Sequence, residues 1–363
     1  MSYKVTLIPG DGIGPEVTDA TLKCIEALGV DIEWERVYAG ECALEKYGKL
    51  LPEETLEVIR RNKIALKGPI TTPVGKGFRS VNVAIRQILD LYVCLRPVKS
   101  FGLATTFHKD VDIIIVRENT EDLYMGVEFP ENAPETNKLI EDINAISEKK
   151  IRQGSALSIK PISKFASERI ARFGFEYAIK NNRKKVSCIH KANIMKCTDG
   201  LFLDTFYNVA KEYGGRVQAN DVIVDNLSMQ LTKRPKFFDI LVLPNLYGDI
   251  ISDLGAGLIG GLGLAAGANI GDEIAVFEPT HGSAPKYAGK NKVNPIATIL
   301  SASLMLKHLG EKRKAEILEK AIEDVIKNNS AVTYDLKPTR DDPTAVGTKE
   351  TALAICKRIK ELL

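Results

Sequence analysis

Hydrophobic and polar positions along this chain fall into runs that predict strands and helices in alternation. Residues 3–8 alternate as a strand does, and PGDGIGPE follows, with Pro15 placed as the first residue of a helix ending near Gly29. On that helix Val17, Ala20, Cys24 and Leu28 share a face. Ile32, Trp34 and Tyr38 mark a second strand, residues 52–62 a short helix and residues 63–68 a third strand. After a loop at 71–77, Ser80 is placed to cap a helix whose apolar side carries Val81, Ala84, Ile85, Ile88 and Leu89. Apolar runs at 111–116, 186–189, 222–224 and 239–244 read as buried strands, and a closing helix at 312–327 has Ile317, Leu318, Ala321, Ile322, Val325 and Ile326 on one side. The alternation predicts an α/β fold. Residues 125–163 break it, with Pro130, Pro134 and a mixed polar stretch before SALSIKPI, and read as an inserted arm.

Each of the four apolar runs ends on chemistry. They deliver Arg117, Lys191, Asp225 and, through NLYGDIISD at 245–253, the pair Asp249 and Asp253 to the carboxyl ends of their strands, where open α/β sheets bind ligands. If 245–253 turns helical after Gly248, the two aspartates share one face, and like charges at that spacing cost stability unless neutralised. Mg²⁺ or Mn²⁺ would neutralise them; a solvated acidic face is the alternative. Near the other end of the chain's first third, Asn82 and Arg86 share a side of the helix capped by Ser80. Cap, free N–H groups and guanidinium form an anion site, or else an ordinary cap beside a solvated arginine. Metal, arginines and lysine at a shared edge suggest a small polyanion as ligand. The loop at 278–295 (EPTHGSAPKYAGKNKVNP), carrying His281, Lys286, Tyr287 and Asn294, is long enough to read as functional.

Composition narrows this further. With 363 residues and 44% hydrophobic content, the chain can bury one or two substantial cores, and a globular protein of two lobes is expected. A net charge of +3, from 50 basic and 47 acidic residues mixed along the chain, leaves no stripe for nucleic acid and no polybasic membrane anchor. Six cysteines without a C-x-x-C pair read as reduced core thiols, and a strand beginning within three residues of the start is expected to leave no room for a signal peptide, so the expected location is cytoplasmic. Residues 254–271 run without a charge, but seven glycines mark them as buried rather than membrane-spanning. Gly10, Gly12 and Gly14 give G-x-G-x-G rather than G-x-G-x-x-G, so a Rossmann dinucleotide site is not expected.

The motifs IPGDGIGPEV, SVNVAIRQILDLYVCLRP, RENTEDLYMGVE, HKANIMK, NLYGDIISD and THGSAPKYAG extend over almost the whole chain, which resembles the β-decarboxylating dehydrogenases of isocitrate, isopropylmalate and homoisocitrate. That resemblance implies a two-lobed fold that is not Rossmann-like. Its large α/β lobe would comprise 1–91 and 260–363, its small lobe 92–124 and 164–259, and a dimer clasp would occupy 125–163. It also implies a homodimer with shared sites. Ser80, Asn82 and Arg86 match the isocitrate-type helix, Ser80 and Asn82 bonding the γ-carboxylate, with Arg86, Arg96, Arg117 and Asn193 as further substrate contacts. Asp249 and Asp253, with Asp225 from the other subunit, would hold the metal. Tyr124 and the other subunit's Lys191 would be the acid/base pair of an oxidative decarboxylation, the substrate being isocitrate.

For the cofactor, the resemblance places His281, Gly282 and Asn294 at the adenosine end and makes Lys286, Tyr287 and Tyr334 NADP-type residues. The arginine expected four residues beyond Tyr334 is Pro338, for which Lys337 or Arg340 would substitute, so NADP is favoured over NAD. The alternatives are an NAD-dependent isocitrate or homoisocitrate enzyme and a non-catalytic regulatory subunit. A subunit of that kind should lack a metal aspartate, Tyr124 or Lys191, and all are present.

Overall fold

The computed structural model describes residues 2–72, 80–103 and 106–363. Most of the 71–77 loop therefore lies outside the described residues. In chain order the elements are β1 (Tyr3–Ile8), α1 (Gly14–Ala27), β2 (Ile32–Arg36), α2 (Glu41–Tyr47), α3 (Glu53–Asn62), β3 (Ile64–Lys67), α4 (Val81–Ile88), β4 (Val93–Lys99) and β5 (Asp112–Glu118). The arm follows, with β6 (Glu128–Phe129), α5 (Pro134–Ile146) and β7 (Leu157–Ser158). Then come α6 (Lys164–Lys180), β8 (Lys185–His190), α7 (Thr198–Glu212), β9 (Gln218–Ile223), α8 (Val224–Lys233), β10 (Ile240–Leu243) and α9 (Asn245–Ile259). β11 (Ala268–Ile270), β12 (Ala275–Phe277), α10 (Ile296–His308), α11 (Lys312–Asn328) and α12 (Thr348–Leu362) complete the chain.

Ten strands form one sheet in the order β2-β1-β3-β12-β11-β4-β5-β10-β8-β9. β5, β10, β8 and β9 are consecutive and parallel, so the four apolar runs do end on one edge. Both faces of β5, β10 and β8 are covered, which is why they read as unbroken apolar runs, whereas β9 is the edge strand and has no buried position. Ile113, Ile115, Leu241 and Leu243 enter a core with α8 and α9, whereas Ile114, Val116, Ile240 and Val242 enter another with α6 and α7. Strands from the two ends of the chain fill one half of the sheet, and strands from its middle fill the other. They meet where β11 pairs antiparallel with β4, Asn269 opposite Cys94. α1 packs on α12 and α10, joining the chain's beginning to its end. The arm is a separate two-stranded sheet, Glu128 opposite Ser158 and Phe129 opposite Leu157, with α5 between its strands.

Some expectations need correction. Residues 41–47 form a helix the periodicity did not reveal, because only Ala43 of its seven positions is buried. The second strand stops at Arg36, before Tyr38. The helix at 312–328 does not close the chain, since α12 follows it. The 254–271 segment divides into the end of α9, a 3-10 turn and β11; no helix among the described residues is long and apolar enough to cross a membrane.

The G-x-G-x-G loop has a structural purpose. The Asp11 carboxylate accepts the N–H groups of Thr71 (2.7 Å), Cys42 (2.8 Å) and Glu41 (2.9 Å), so it caps α2 and ties down the start of the 71–77 loop. Gly12, at φ +58°, lies where a Cβ would come within 2.2 Å of the Ser283 carbonyl oxygen. The loop is thus a close backbone contact to the 278–295 loop rather than a phosphate cradle.

Candidate active site

Arg117 is the penultimate residue of β5 and is 1% exposed. Its Nε donates to Asn245 Oδ1 at 2.8 Å and its Nη1 to Asp249 Oδ1, so it joins β5 to the first turns of α9. Helix α9 begins at Asn245 rather than after Gly248, which leaves Gly248 inside it. A Cβ there would stand 2.4 Å from Arg117 Cγ, and the glycine is what lets the arginine lie along the helix. The helix start is fixed from outside its own sequence: Leu246 N–H donates to Asp122 Oδ2 (2.9 Å), and Asn245 Nδ2 to the Glu121 carbonyl (3.1 Å).

Tyr124 completes the group, donating its hydroxyl to Asp249 Oδ2, with the Arg117 guanidinium 4.8 Å from its ring centre. Burial alone would raise the Asp249 carboxyl, but Arg117, the Tyr124 hydroxyl and Arg86 hold it below the usual range. Asp253 goes the other way, raised by burial and by the Asp249 charge. Tyr124 is raised by burial and then by its bond to Asp249. Arg117 Nη2 has no hydrogen-bond partner among the described residues although it is buried.

A second buried network lies beside this one. Ser80 caps α4, accepting from Val83 N–H at 3.5 Å, and Arg86 is buried rather than solvated. Arg86 Nη2 meets Glu278 Oε1 at 2.9 Å, while Lys67 Nζ meets Glu278 Oε2 at 2.6 Å. Asn269 Nδ2 donates to the same Glu278 Oε1 (2.6 Å), and Asn119 bridges Asn269 (3.2 Å) and Arg86 (3.5 Å). Burial would raise the Glu278 carboxyl, yet Lys67, Arg86 and Arg96 hold it far below the usual carboxylate range. Asn82 Oδ1 and Arg86 Nε are buried without partners among the described residues. Arg96 is buried on β4, its Nε 3.0 Å from Cys94 Sγ and its Nη1 on the Thr280 hydroxyl.

Lys191 and Asp225 pair with each other, Nζ to Oδ1 at 2.6 Å, and Asn193 is exposed nearby in sequence. Among the described residues no three acidic, histidine or cysteine side chains gather as a metal site, so Asp225 does not join Asp249 and Asp253 within one chain. In the 278–295 loop, His281 Nδ1 lies 3.0 Å from the Gly282 carbonyl, which leaves Nε2 buried and unpartnered among the described residues. Gly282 and Lys286 are exposed, Tyr287 and Tyr334 have ring centres 6.5 Å apart, and Asn294 Nδ2 donates to Asp335 at 2.9 Å.

Sequence reasoning quoted Glu278 without giving it a role and passed over Lys67. Lys67 is a charged residue closing an apolar strand, the same signal that flagged Arg117, and could have been found that way. Asn119, Asn269 and Asp122 carried no sequence signal of their own. A cavity of ≈ 240 Å³ opens at the opposite ends of β4 and β5, around Pro97, Lys99, Asp112 and Ile114, away from these groups.

Fold, strand-edge chemistry and motif order define a class. The chain belongs to the isocitrate/isopropylmalate dehydrogenase family, a model of which matches residues 4–355. It is 46% identical to a protein of Archaeoglobus fulgidus named isocitrate dehydrogenase (NADP), over 97% of this chain and 92% of that one. A Colwellia maris protein named isocitrate dehydrogenase (NADP) 1 is 44% identical, over 94% and 90%. The solved structure of isocitrate dehydrogenase from Methylococcus capsulatus superimposes with a TM-score of 0.89 at 48% identity, covering 99% of both chains.

Proposed function

We propose that this chain is an NADP-dependent isocitrate dehydrogenase, converting isocitrate to 2-oxoglutarate and CO₂. The observation that carries the reading is the joint hold of Arg117 and Tyr124 on Asp249, which brings an anion-binding guanidinium, a phenol and a candidate metal carboxylate to one strand edge.

The residues fit a divalent cation. Asp249 and Asp253 stand four apart on α9, Asp253 has no hydrogen-bond partner among the described residues, and the mutual repulsion that raises its carboxyl is what a cation relieves. Asp249 and Asp253, with the partner subunit's Asp225, would hold Mg²⁺ or Mn²⁺. The bound ion would make the C2 hydroxyl more acidic and stabilise charge on that oxygen as CO₂ leaves. The residues fit NADP as well: His281 Nε2 is a buried acceptor suited to an amino group such as adenine's, and NADP would accept the hydride from C2.

The chain's own side chains then have separable tasks. Ser80 and Asn82 hydrogen-bond the γ-carboxylate at the start of α4. Arg86, Arg96 and Arg117 bind the other carboxylates, using guanidinium N–H groups such as the unpartnered Arg86 Nε and Arg117 Nη2. Asn193 adds a polar contact. The partner subunit's Lys191 takes up the hydroxyl proton as hydride leaves C2, and Tyr124 returns a proton to C3 once the carboxylate there has departed.

Asp225, paired with Lys191, does not gather with Asp249 and Asp253 as a metal site among the described residues of one chain, which supports a site completed by a second copy and a homodimer as the working form. Exposed Met229 on α8, Ile250 on the adjoining α9 and Ile194 after β8 give the second copy apolar surface to cover. In this arrangement the arm at 125–163 acts as the clasp, and the halves of the sheet act as the two lobes, 1–91 with 260–363 and 92–124 with 164–259.

The test is the initial rate of reduced-nicotinamide formation from isocitrate and Mg²⁺, with NADP and NAD compared at equal concentration and each repeated with chelator. A chelator-sensitive rate that is much faster with NADP is expected. Faster turnover with NAD would overturn the cofactor assignment, and no turnover with either would overturn the reading.

A further inference from the structure

Helices α1 and α12 pack together, and each brings a thiol to the contact. Cys24 of α1 and Cys356 of α12 are 332 residues apart in sequence, yet their sulfurs lie 3.8 Å from each other. Nothing fits between them at that separation, and a disulfide would draw them in to about 2 Å. Cys24 is fully buried, in a core it shares with Ile355 and Ile359 of α12, whereas Cys356 is half-buried and open to a small reagent.

Their surroundings give the two sulfurs different parts. The hydrogen bond with Cys24 and the charges of Lys360 and Lys23 hold the Cys356 thiol below its ordinary value against the effect of burial. The same hydrogen bond, and then burial, push the Cys24 thiol well above it. A half-buried sulfur with thiolate character beside a second thiol is the arrangement that reacts with peroxide. The other cysteines are placed differently. Burial and then Asp11 push Cys42 up to about 12, burial pushes Cys188 well up, and Cys94 lies buried against Arg96. Cys197 is exposed.

We propose that Cys356 and Cys24 are a peroxide-responsive pair: hydrogen peroxide oxidises Cys356, and Cys24 captures the product as an intrachain disulfide that fastens α12 to α1. The Cys356 sulfur attacks one peroxide oxygen; an S–O bond forms, the O–O bond breaks, and the departing hydroxide takes up the proton Cys356 released. The Cys24 sulfur then attacks the sulfenic sulfur; an S–S bond forms, the S–O bond breaks, and the hydroxyl leaves as water with the Cys24 proton. Two thiols lose two electrons between them, and one peroxide is reduced to two waters. The link joins the helices that hold the 278–295 loop, since Glu16 of α1 accepts the Asn291 N–H at 3.0 Å and Glu350 of α12 accepts from Asn291 Nδ2 at 2.9 Å. It also closes most of the chain into one covalent loop, which restricts the unfolded state. Neither thiol takes part in the reaction proposed above, so the pair is independent of substrate and cofactor.

Peptide mapping of the full chain tests this. Protein freed of reductant is treated with a small molar excess of hydrogen peroxide, alkylated in denaturant, and digested without reduction for mass spectrometry. The expected product is a peptide pair joined through Cys24 and Cys356 in a chain that still runs as a monomer on a denaturing gel. Thermal melts should show the midpoint raised by about 5 °C and returned by dithiothreitol. In Cys24→Ala the reaction stops at the Cys356 sulfenic acid, which dimedone traps, and peroxide no longer raises the midpoint; Cys24→Ser gives the same result should the alanine variant fail to fold. Recovery of both thiols alkylated after peroxide, or oxidation confined to Cys197, would overturn the inference. A joined pair that leaves the midpoint unchanged would overturn the fastening of α12 to α1.

Discussion

At Asp249 two donors meet one carboxylate, and the consequence is a charge held ready beside a second, repelled one at Asp253. Glu278 is the corresponding centre of the neighbouring network, buried and shared by Lys67, Arg86 and Asn269. Its folded pKa is depressed, so its stabilising contribution is present above the unfolded value of about 4.3 and is lost as pH falls from there through the folded value. Glu278→Gln leaves two buried cations uncompensated and is expected to cost about 3–5 kcal/mol at neutral pH. Urea melts across pH should show the difference between the two proteins shrinking below about pH 4.3. A difference independent of pH would assign Glu278 a packing role only. Arg117, Asp249 and Asp253 were legible because a charge directly after an apolar strand is conspicuous. Glu278, directly after β12, carries the same signal, but its role was not legible, since its partners come from β3, α4 and β11, and long-range pairing leaves no local pattern.

Among the elements, α9 shows how much a helix owes to residues outside it. Its sequence gave the right face for the two aspartates but the wrong start, because the cap is Asp122, held in the left-handed region at φ 67° and far away in sequence. Gly248 is unremarkable within the helix and makes sense only against Arg117. Gly248→Ala is expected to displace the Arg117 side chain, cost about 1–3 kcal/mol from overpacking and raise the KM for isocitrate. Thermal melts with steady-state kinetics check it, and an unchanged KM would show that Arg117 does not need this path along the helix. The parallel strands β5, β10, β8 and β9 were readable as runs, though β5 continues through Arg117 to Glu118. Helix α2 was missed because it is a mostly exposed seven-residue helix ending in a left-handed glycine, Gly48 at φ 71°.

Over the whole molecule, one sheet joins the two ends of the chain to its middle at the β11–β4 pairing, and the site residues lie along both sides of that seam. Alternation of strands and helices announced the class, but not the strand order, nor neighbours such as Cys24 and Cys356, whose sulfurs lie 3.8 Å apart at opposite ends of the sequence. Residue types also could not reveal that Lys191 pairs with Asp225, nor that Asp225 does not gather with Asp249 and Asp253 as a metal site among the described residues. In the proposed homodimer, Lys191 and Asp225 of one copy and Asp249 of the other form one catalytic site. Subunit complementation measures it directly: Lys191→Met and Asp249→Asn proteins, each inactive alone, are unfolded together and refolded as a mixture, with heterodimer formation verified by native mass spectrometry. One of the two sites in each heterodimer is then intact, and the mixture should regain about a quarter of the wild-type rate with isocitrate and NADP. Verified heterodimers that stay inactive would mean that each chain needs its own Lys191, and the shared site would be wrong.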